Sequence, residues 1–456
     1  MKKVSIFAII LIVLCMLSIP ALAESNNSTI GVNVLLNTEI TDEILSDLEA
    51  HGNVLDVIYE INALTMKLNS QDLDNLRNLP YVDVANPDAQ RKGAPIDTVQ
   101  ADSMIDGLST WNLDAINVTD VGFDNRTVTQ DGSGVYIAVL DTGLLKSWRQ
   151  YFPDERIAEE YAICFGGGGG EKGTVSQQPN KWERDVNSHG THVTSTIIGY
   201  SLDGVPVNGV APNVTIIPVK VLNQNGSGWS SVIARGISYI TELKKGPLAD
   251  YPVVINMSLG GPVLDAIEKA AIDEAIEAGV IIVASAGNEG LAGMGYPGAY
   301  EPVISVAASG HTDEWANGRT WWYTTDVAEP INPSDFYITD FSSRELSGQS
   351  LDVAAPGSWI VGAYQVNNGQ LGYYFLGGTS MASPHVAGVV ALMAQKDPSL
   401  TAPMAELYLE YTAVPLSAGS RTILAGPSGP EVVVAWDDNA TGAGLVDAQA
   451  ALSMIP

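Results

Sequence analysis

Apolar and polar residues alternate along this chain with two different periods, and the switches between them mark out its elements. Residues 135–140, 214–222, 253–255, 280–284 and 303–308 are short, nearly continuous apolar runs, the pattern of strands buried on both faces. Between them, residues 230–243 and 264–278 carry apolar side chains at helical spacing. The same spacing runs through Val386, Ala387, Val389, Val390, Leu392 and Met393, with Pro384 where a first helical turn is expected. Strands and helices in alternation predict an α/β fold, a parallel sheet sandwiched by helices.

The N-terminal part reads differently. Residues 31–36 form a strand, 41–52 a helix, 54–61 and 64–68 a strand pair, 71–79 a second helix and 81–84 a last strand. This β-α-β-β-α-β order predicts a small ferredoxin-like α+β domain. Ahead of it, Lys2 and Lys3 precede an apolar run over residues 4–19 and an Ala21-Leu22-Ala23 site. That is the layout of a secretory signal peptide, and it is short for a permanent membrane span. No other stretch approaches the ~18 apolar residues a span needs, so a secreted, extracellular product is expected.

Charge narrows the partners. The 52 Asp and Glu outnumber the 22 Lys and Arg, for a net charge of −30, and no basic patch offers nucleic acid a surface. Of the two cysteines, Cys15 lies in the signal core, which leaves Cys164 alone and rules out an intramolecular disulfide.

Candidate chemistry clusters at the ends of the predicted elements. Ser380, after Gly377-Gly378-Thr379, sits at the mouth of a buried helix, where developing negative charge is favoured. A serine hydroxyl needs a base to become a nucleophile. Of the five histidines, His51 lies in the small domain, His311 in a Trp-rich loop, and His385 on the same helix as Ser380. His192 reads as a packed helix histidine, which leaves His189, flanked by Gly190, as the base. Asp141 ends a buried strand, where a carboxylate can orient an imidazole. Asn288 follows another strand and supplies an amide for an oxyanion. An aspartic protease would need a second Asp-Thr-Gly or Asp-Ser-Gly, and there is none.

Asp141-Thr142-Gly143, His189-Gly190-Thr191-His192, Ala286-Gly287-Asn288 and Gly378-Thr379-Ser380-Met381-Ala382-Ser383-Pro384 together resemble the four signature blocks of the subtilisin-like serine proteases, in that family's chain order. The resemblance implies a serine endopeptidase with an Asp141–His189–Ser380 triad and an Asn288 oxyanion donor, acting on protein or peptide substrates. Thr194 and Ser195 depart from the family pattern, which has Ala-Gly there. By the same resemblance Ser258, Leu259, Gly260 and Gly261 would pair with substrate and wall the primary pocket. Gly295 would floor it with room for a large apolar or aromatic side chain, while Glu289 at the rim could also accept a basic one, which leaves the preference open. Asp154 and Asp203 would lie on loops that hold structural Ca²⁺ in the family.

The small domain resembles the family's propeptide, an intramolecular inhibitor and folding aid. The expected division is a signal peptide at 1–23, a propeptide with linker at 24–100 and a catalytic domain at 101–456. The linker over 89–109 would occupy the cleft, with maturation cleavage between residues 90 and 108. Residues 24–100 hold four basic and 13 acidic residues, so two negative partners must dock through apolar contact and strand pairing, more tightly as salt is added. Residues 311–337 look like an insertion whose tryptophans could shape the cleft or pack on the surface, with packing the favoured reading. A catalytically silent peptide-binding homologue is the alternative reading.

Overall fold

A computed structural model describes residues 28–101, 110–120, 126–166, 176–202, 204–316, 326–366 and 372–456. Its N-terminal unit runs β1 (Thr29–Leu36), α1 (Asp42–His51), β2 (Asn53–Ile58), β3 (Ala63–Asn69), α2 (Leu73–Arg77) and β4 (Val82–Pro87). The four strands form an antiparallel sheet in the order β2-β3-β1-β4, the ferredoxin-like arrangement. Val32, Val34, Leu64 and Met66 alternate on one face of this sheet and close a core of their own with Leu48 of α1.

Two further strands, β5 (Gln90–Lys92) and β6 (Asp97–Gln100), leave this unit and join the larger one. The larger unit is built on β7 (Tyr136–Asp141). Strand β7 lies between the Thr215–Lys220 and Val253–Met257 strands, both parallel to it. Val280–Ser285 and Ile304–His311 continue the parallel sheet beyond Val253–Met257, and Phe336–Ile338 closes that side antiparallel. Strand order thus runs outward from β7 in both directions, which opens a crevice at the carboxyl ends of the central strands. The buried strands are covered by the Ser230–Lys245 and Ala266–Glu277 helices on one face and by His189–Ile198 and Thr379–Lys396 on the other. The expected α/β sandwich is therefore present, with each predicted strand and helix within a few residues of its place.

One local expectation is corrected. The helix carrying Ser380 begins at Thr379, so Pro384 is its sixth residue and lies beyond the first turn. Proline has no N–H to give the Ser380 carbonyl four residues back. The Ser258 hydroxyl donates to that carbonyl instead, at 2.8 Å. A bond from a neighbouring strand end thus replaces the missing helical one, and the helix continues.

Thr194 and Ser195 are accommodated in the same way. Thr194 Oγ1 donates to the Gly190 carbonyl at 2.8 Å, and Ser195 Oγ to the Thr191 carbonyl at 3.1 Å. Ser195 Oγ also accepts from the Ala363 N–H at 3.0 Å, so neither buried hydroxyl is left unpaired.

The N-terminal unit docks as expected through strand pairing and apolar contact. Ile58 and Ala63 join the apolar cluster of Ile233, Ile237 and Ile267. Opposite charges also meet across the interface, which net charge could not reveal. Arg235 pairs with Asp56 at 2.8 Å, Arg91 pairs with Glu268, and Asp88 accepts from the Ser231 N–H at the start of the Ser230–Lys245 helix. Repulsion between two acidic bodies is thus offset locally, and helix-end charge complementarity adds to it.

Trp315, in the expected insertion, is buried against Trp359 and Phe375; Trp321 and Trp322 lie outside the described residues.

Gly190 controls how closely the His189–Ile198 helix approaches β7. A Cβ there would press on the Gly143 carbonyl oxygen and sit 3.2 Å from Asp141 Cβ. Gly190→Ala is expected to cost about 1–3 kcal/mol, the usual penalty for overpacking. Chemical denaturation of the variant in a Ser380→Ala background measures this; an unchanged midpoint would show that the helix can move aside.

Candidate active site

The crevice collects the sequence-predicted residues from five element ends. Asp141 is the last residue of β7 and His189 the first of its helix, and both are fully buried. His189 Nδ1 lies 2.9 Å from each Asp141 carboxylate oxygen. Asp185 holds the helix start in place: its carboxylate accepts from the Ser188 N–H at 2.7 Å and from the Thr191 N–H and hydroxyl at 3.2 and 2.8 Å. Ser188 itself adopts a left-handed backbone (φ 75°), a conformation that costs a non-glycine residue energy and that these bonds sustain. Asp185 was missed in the sequence because an aspartate three residues before a serine is an ordinary capping pattern.

With Nδ1 committed to Asp141, His189 Nε2 is buried and has no hydrogen-bond partner among the described residues. Burial by itself pushes the imidazole pKa down. The Asp141 carboxylate, its hydrogen bond and Asp185 outweigh that and hold His189 above its ordinary value of 6.5. His192 behaves in the opposite way. It is buried among carbonyls, 3.0 Å from Ile360 O, and burial pushes it down to about 3, as suits a packed neutral histidine.

Ser380 is the second residue of its helix. Its hydroxyl donates to the Ser258 carbonyl at 3.2 Å, so the structure does not join it to His189 by a hydrogen bond. The Ser258 carbonyl that receives this hydroxyl and the His189 ring nonetheless flank the same residue, Gly93. Added bulk at Gly93 would meet both the Ser258 carbonyl and His189 Cε1. Asn288 Oδ1 accepts from the Thr379 N–H at 2.9 Å and the Thr379 hydroxyl at 3.0 Å. This leaves its NH₂ as the outward group, oriented before any ligand arrives. Asn288, Ser380, Thr379, Ser285, Gly287, Glu289 and Gly260 line one cavity of about 120 Å³. Ser285 was not singled out in the sequence; Thr379 and Gly287 were visible only as parts of the serine and asparagine motifs.

The predicted pocket residues separate by role. Gly260 exchanges two backbone hydrogen bonds with Lys92, at 2.9 and 3.0 Å, as one strand of a short ladder. Gly261 pairs with Tyr296, Leu259 is buried, and Ser258 holds the Ser380 backbone and hydroxyl. Gly295 backs directly onto Gly260 and Gly261, behind the cavity wall. On the opposite side β5 pairs antiparallel with Ser227–Trp229, and β6 with Tyr373–Gly377. Residues 90–100 thus cross the cleft as an added strand, with Ala94, Pro95 and Ile96 in the cavity.

Of the two residues proposed for calcium, Asp154 alone lies among the described residues. Asp154 is largely exposed and stands 3.5 Å from the Arg149 guanidinium, which already supplies positive charge, while Asp203 lies outside the described residues. Closely approaching carboxylates occur instead at Asp114, Asp120 and Asp326, and at Asp352, Glu406 and Glu410. Burial and like charges push Asp114 up to about 7.

Residues 132–444 match the family model described as Peptidase_S8, the subtilase family. The chain belongs to the subtilases. It is 32% identical over 416 residues to an alkaline protease of Alkalihalobacillus alcalophilus, covering 91% of this chain and 86% of that one. Against an extracellular serine proteinase of a Thermus species it is 30% identical, covering 87% and 82%. It superposes on fervidolysin from Fervidobacterium pennivorans, described as a keratinolytic enzyme related to subtilisin, with a TM-score of 0.65 and 25% identity. That match covers 95% of this chain and 62% of the longer fervidolysin chain. As a subtilase, the chain is a serine endopeptidase acting on protein substrates, and no helix among the described residues is long and apolar enough to cross a membrane.

Because His189 is held above 6.5, NMR titration of its ring in the full chain carrying Ser380→Ala should give a midpoint above the ordinary histidine value. Asp141→Asn removes the attraction and should move the midpoint down; a midpoint unchanged by it would discount the carboxylate as the cause.

Proposed function

We propose that this subtilase is made as a secreted, self-inhibited zymogen that hydrolyses peptide bonds by acyl transfer to Ser380. The Asp141–His189 contact carries the reading, because it leaves a buried, unpartnered Nε2 beside the cleft that holds Ser380. Turning the Ser380 hydroxyl from the Ser258 carbonyl toward Nε2 lets His189 take its proton as Oγ bonds the substrate carbonyl carbon. The oxyanion then receives a hydrogen bond from Asn288 Nδ2, already oriented by Thr379. Collapse breaks the C–N bond, and the amine leaves with the proton from His189. Water, deprotonated by the same imidazole, hydrolyses the acyl ester and restores Ser380. Asp141 keeps Nδ1 protonated throughout and stabilises the imidazolium.

Residues 24–100 are the propeptide in this reading, with 1–23 the signal peptide and 101–456 the catalytic domain. The cleft-crossing strand at 90–100 supports it, since it lies where substrate backbone would pair. Gly260, Gly261 and Gly295 leave room for a large apolar residue before the scissile bond. Structural Ca²⁺ belongs to the proposal as a stabiliser held by carboxylate oxygens, without a part in the chemistry.

A fluorophosphonate should label mature protein stoichiometrically at Ser380. Ser380→Ala should abolish labelling and lower casein hydrolysis by about a million-fold, the loss seen when subtilisin's own nucleophile is removed. Absence of labelling in folded wild type would instead identify a silent peptide binder. Asn288→Ala should reduce kcat about 10²–10³-fold, again a magnitude taken from subtilisin, with little change in KM. Chelation should lower the melting temperature and Ca²⁺ alone restore it; an indifferent melt removes calcium from the reading.

A further inference from the structure

The strand lying in the cleft buries a charge. Along β5 the exposure pattern alternates, with Gln90 and Lys92 facing solvent and Arg91 turned inward. Arg91 is only 1% exposed, and its partner Glu268, on the Ala266–Glu277 helix, is fully buried. The Arg91 Nε donates to both Glu268 oxygens at 3.1 Å, and Nη2 bonds Glu268 Oε2 as well. Nη2 also donates to the Val263 carbonyl at 3.0 Å, and Nη1 to the Gln90 carbonyl at 3.0 Å. A planar guanidinium satisfied on this many sides is a built site, matched to arginine's fork and poorly matched to lysine's point charge.

The wall of this site belongs to the catalytic unit, whereas the arginine comes from the strand that occupies the substrate path. Arg91 pairs with Gly228, Lys92 with Gly260, and Ala94 enters the cavity lined by Ser380 and Asn288. Counting Ala94 as the residue in the primary pocket, Arg91 stands three residues upstream of it. Any substrate strand that adds to the same edges in the same register brings its fourth residue before the scissile bond to Glu268.

We propose that Glu268 is a specificity-determining residue that selects arginine at that fourth position. The inference rests on the endopeptidase reading above and deepens it. A substrate without arginine there leaves a buried carboxylate unpaired, the situation in which discrimination is largest. An acidic side chain adds like charge, and Asp265 of the catalytic unit lies close enough to act on Glu268 in the same sense. Burial pushes the Glu268 carboxyl up and Arg91 draws it back, so the pair is mutually dependent.

The test uses mature enzyme, with active sites counted by fluorophosphonate labelling, and the peptides Xaa-Ala-Ala-Phe-p-nitroanilide with Xaa as Arg, Lys, Ala or Glu. The expected result is kcat/KM at least tenfold higher for Arg than for Ala, with Lys between them and Glu lowest. In Glu268→Gln the Arg-to-Ala ratio should fall toward one. Should that variant fail to label, Glu268→Asp, which keeps the charge, should give an intermediate ratio. Equal cleavage of the Arg and Ala peptides by wild type, or a ratio untouched by substitution of Glu268, overturns the inference while leaving the endopeptidase reading intact. No cleavage of any peptide, with no labelling, would instead remove the reading beneath it.

Discussion

The close approach of one helix to one strand end underlies the rest of the site. The His189–Ile198 helix reaches Asp141 only because Gly190 presents no side chain to the Gly143 carbonyl. That approach sets the Asp141–His189 hydrogen bond, which fixes the ring and leaves Nε2 without a hydrogen-bond partner among the described residues. Asp185, the strained Ser188 and the Thr142 hydroxyl, which accepts from the Gly190 N–H at 2.9 Å, hold the helix start from outside. A polar contact in a dry interior is effective only when its geometry is held, and here backbone packing holds it.

The serine side is fixed by an equivalent substitution of bonds. Pro384 deprives the Ser380 carbonyl of its helical donor, and Ser258 fills the place. Ser258 therefore ties the end of the Val253–Met257 strand to the helix that carries Ser380, and its carbonyl also receives the Ser380 hydroxyl. Ser258–Gly260 and Ser380 are thereby parts of one hydrogen-bonded junction. An added strand that pairs with Gly260 is placed against Ser380 by the same bonds.

The cleft strand also shows why net charge is a poor guide to docking. Both the N-terminal unit and the remainder are acidic, yet Asp56–Arg235 and Arg91–Glu268 place opposite charges face to face where the units touch. Long-range repulsion is screened within about 8–10 Å, whereas a contact pair acts at hydrogen-bond distance. Burying Arg91 and Glu268 is tolerable because each satisfies the other, and removal of either leaves an uncompensated charge.

Periodicity and short motifs determined much of this protein. The apolar runs gave the parallel strands because both faces of such a sheet are covered, and the β-α-β-β-α-β order gave the ferredoxin-like sheet. Asp141, His189, Asn288 and Ser380 were legible because each sits at an element end, where local spacing announces it. Pairing across distant segments was not legible: Ser258 with Ser380, Thr379 with Asn288, Asp185 with the helix start, Arg91 with Glu268. Arg91 and Glu268 lie 177 residues apart and each reads alone as a solvated charge. Only folding, which presses β5 against the strand edges at Gly228 and Gly260, removes water from both and turns two ordinary surface residues into a buried pair.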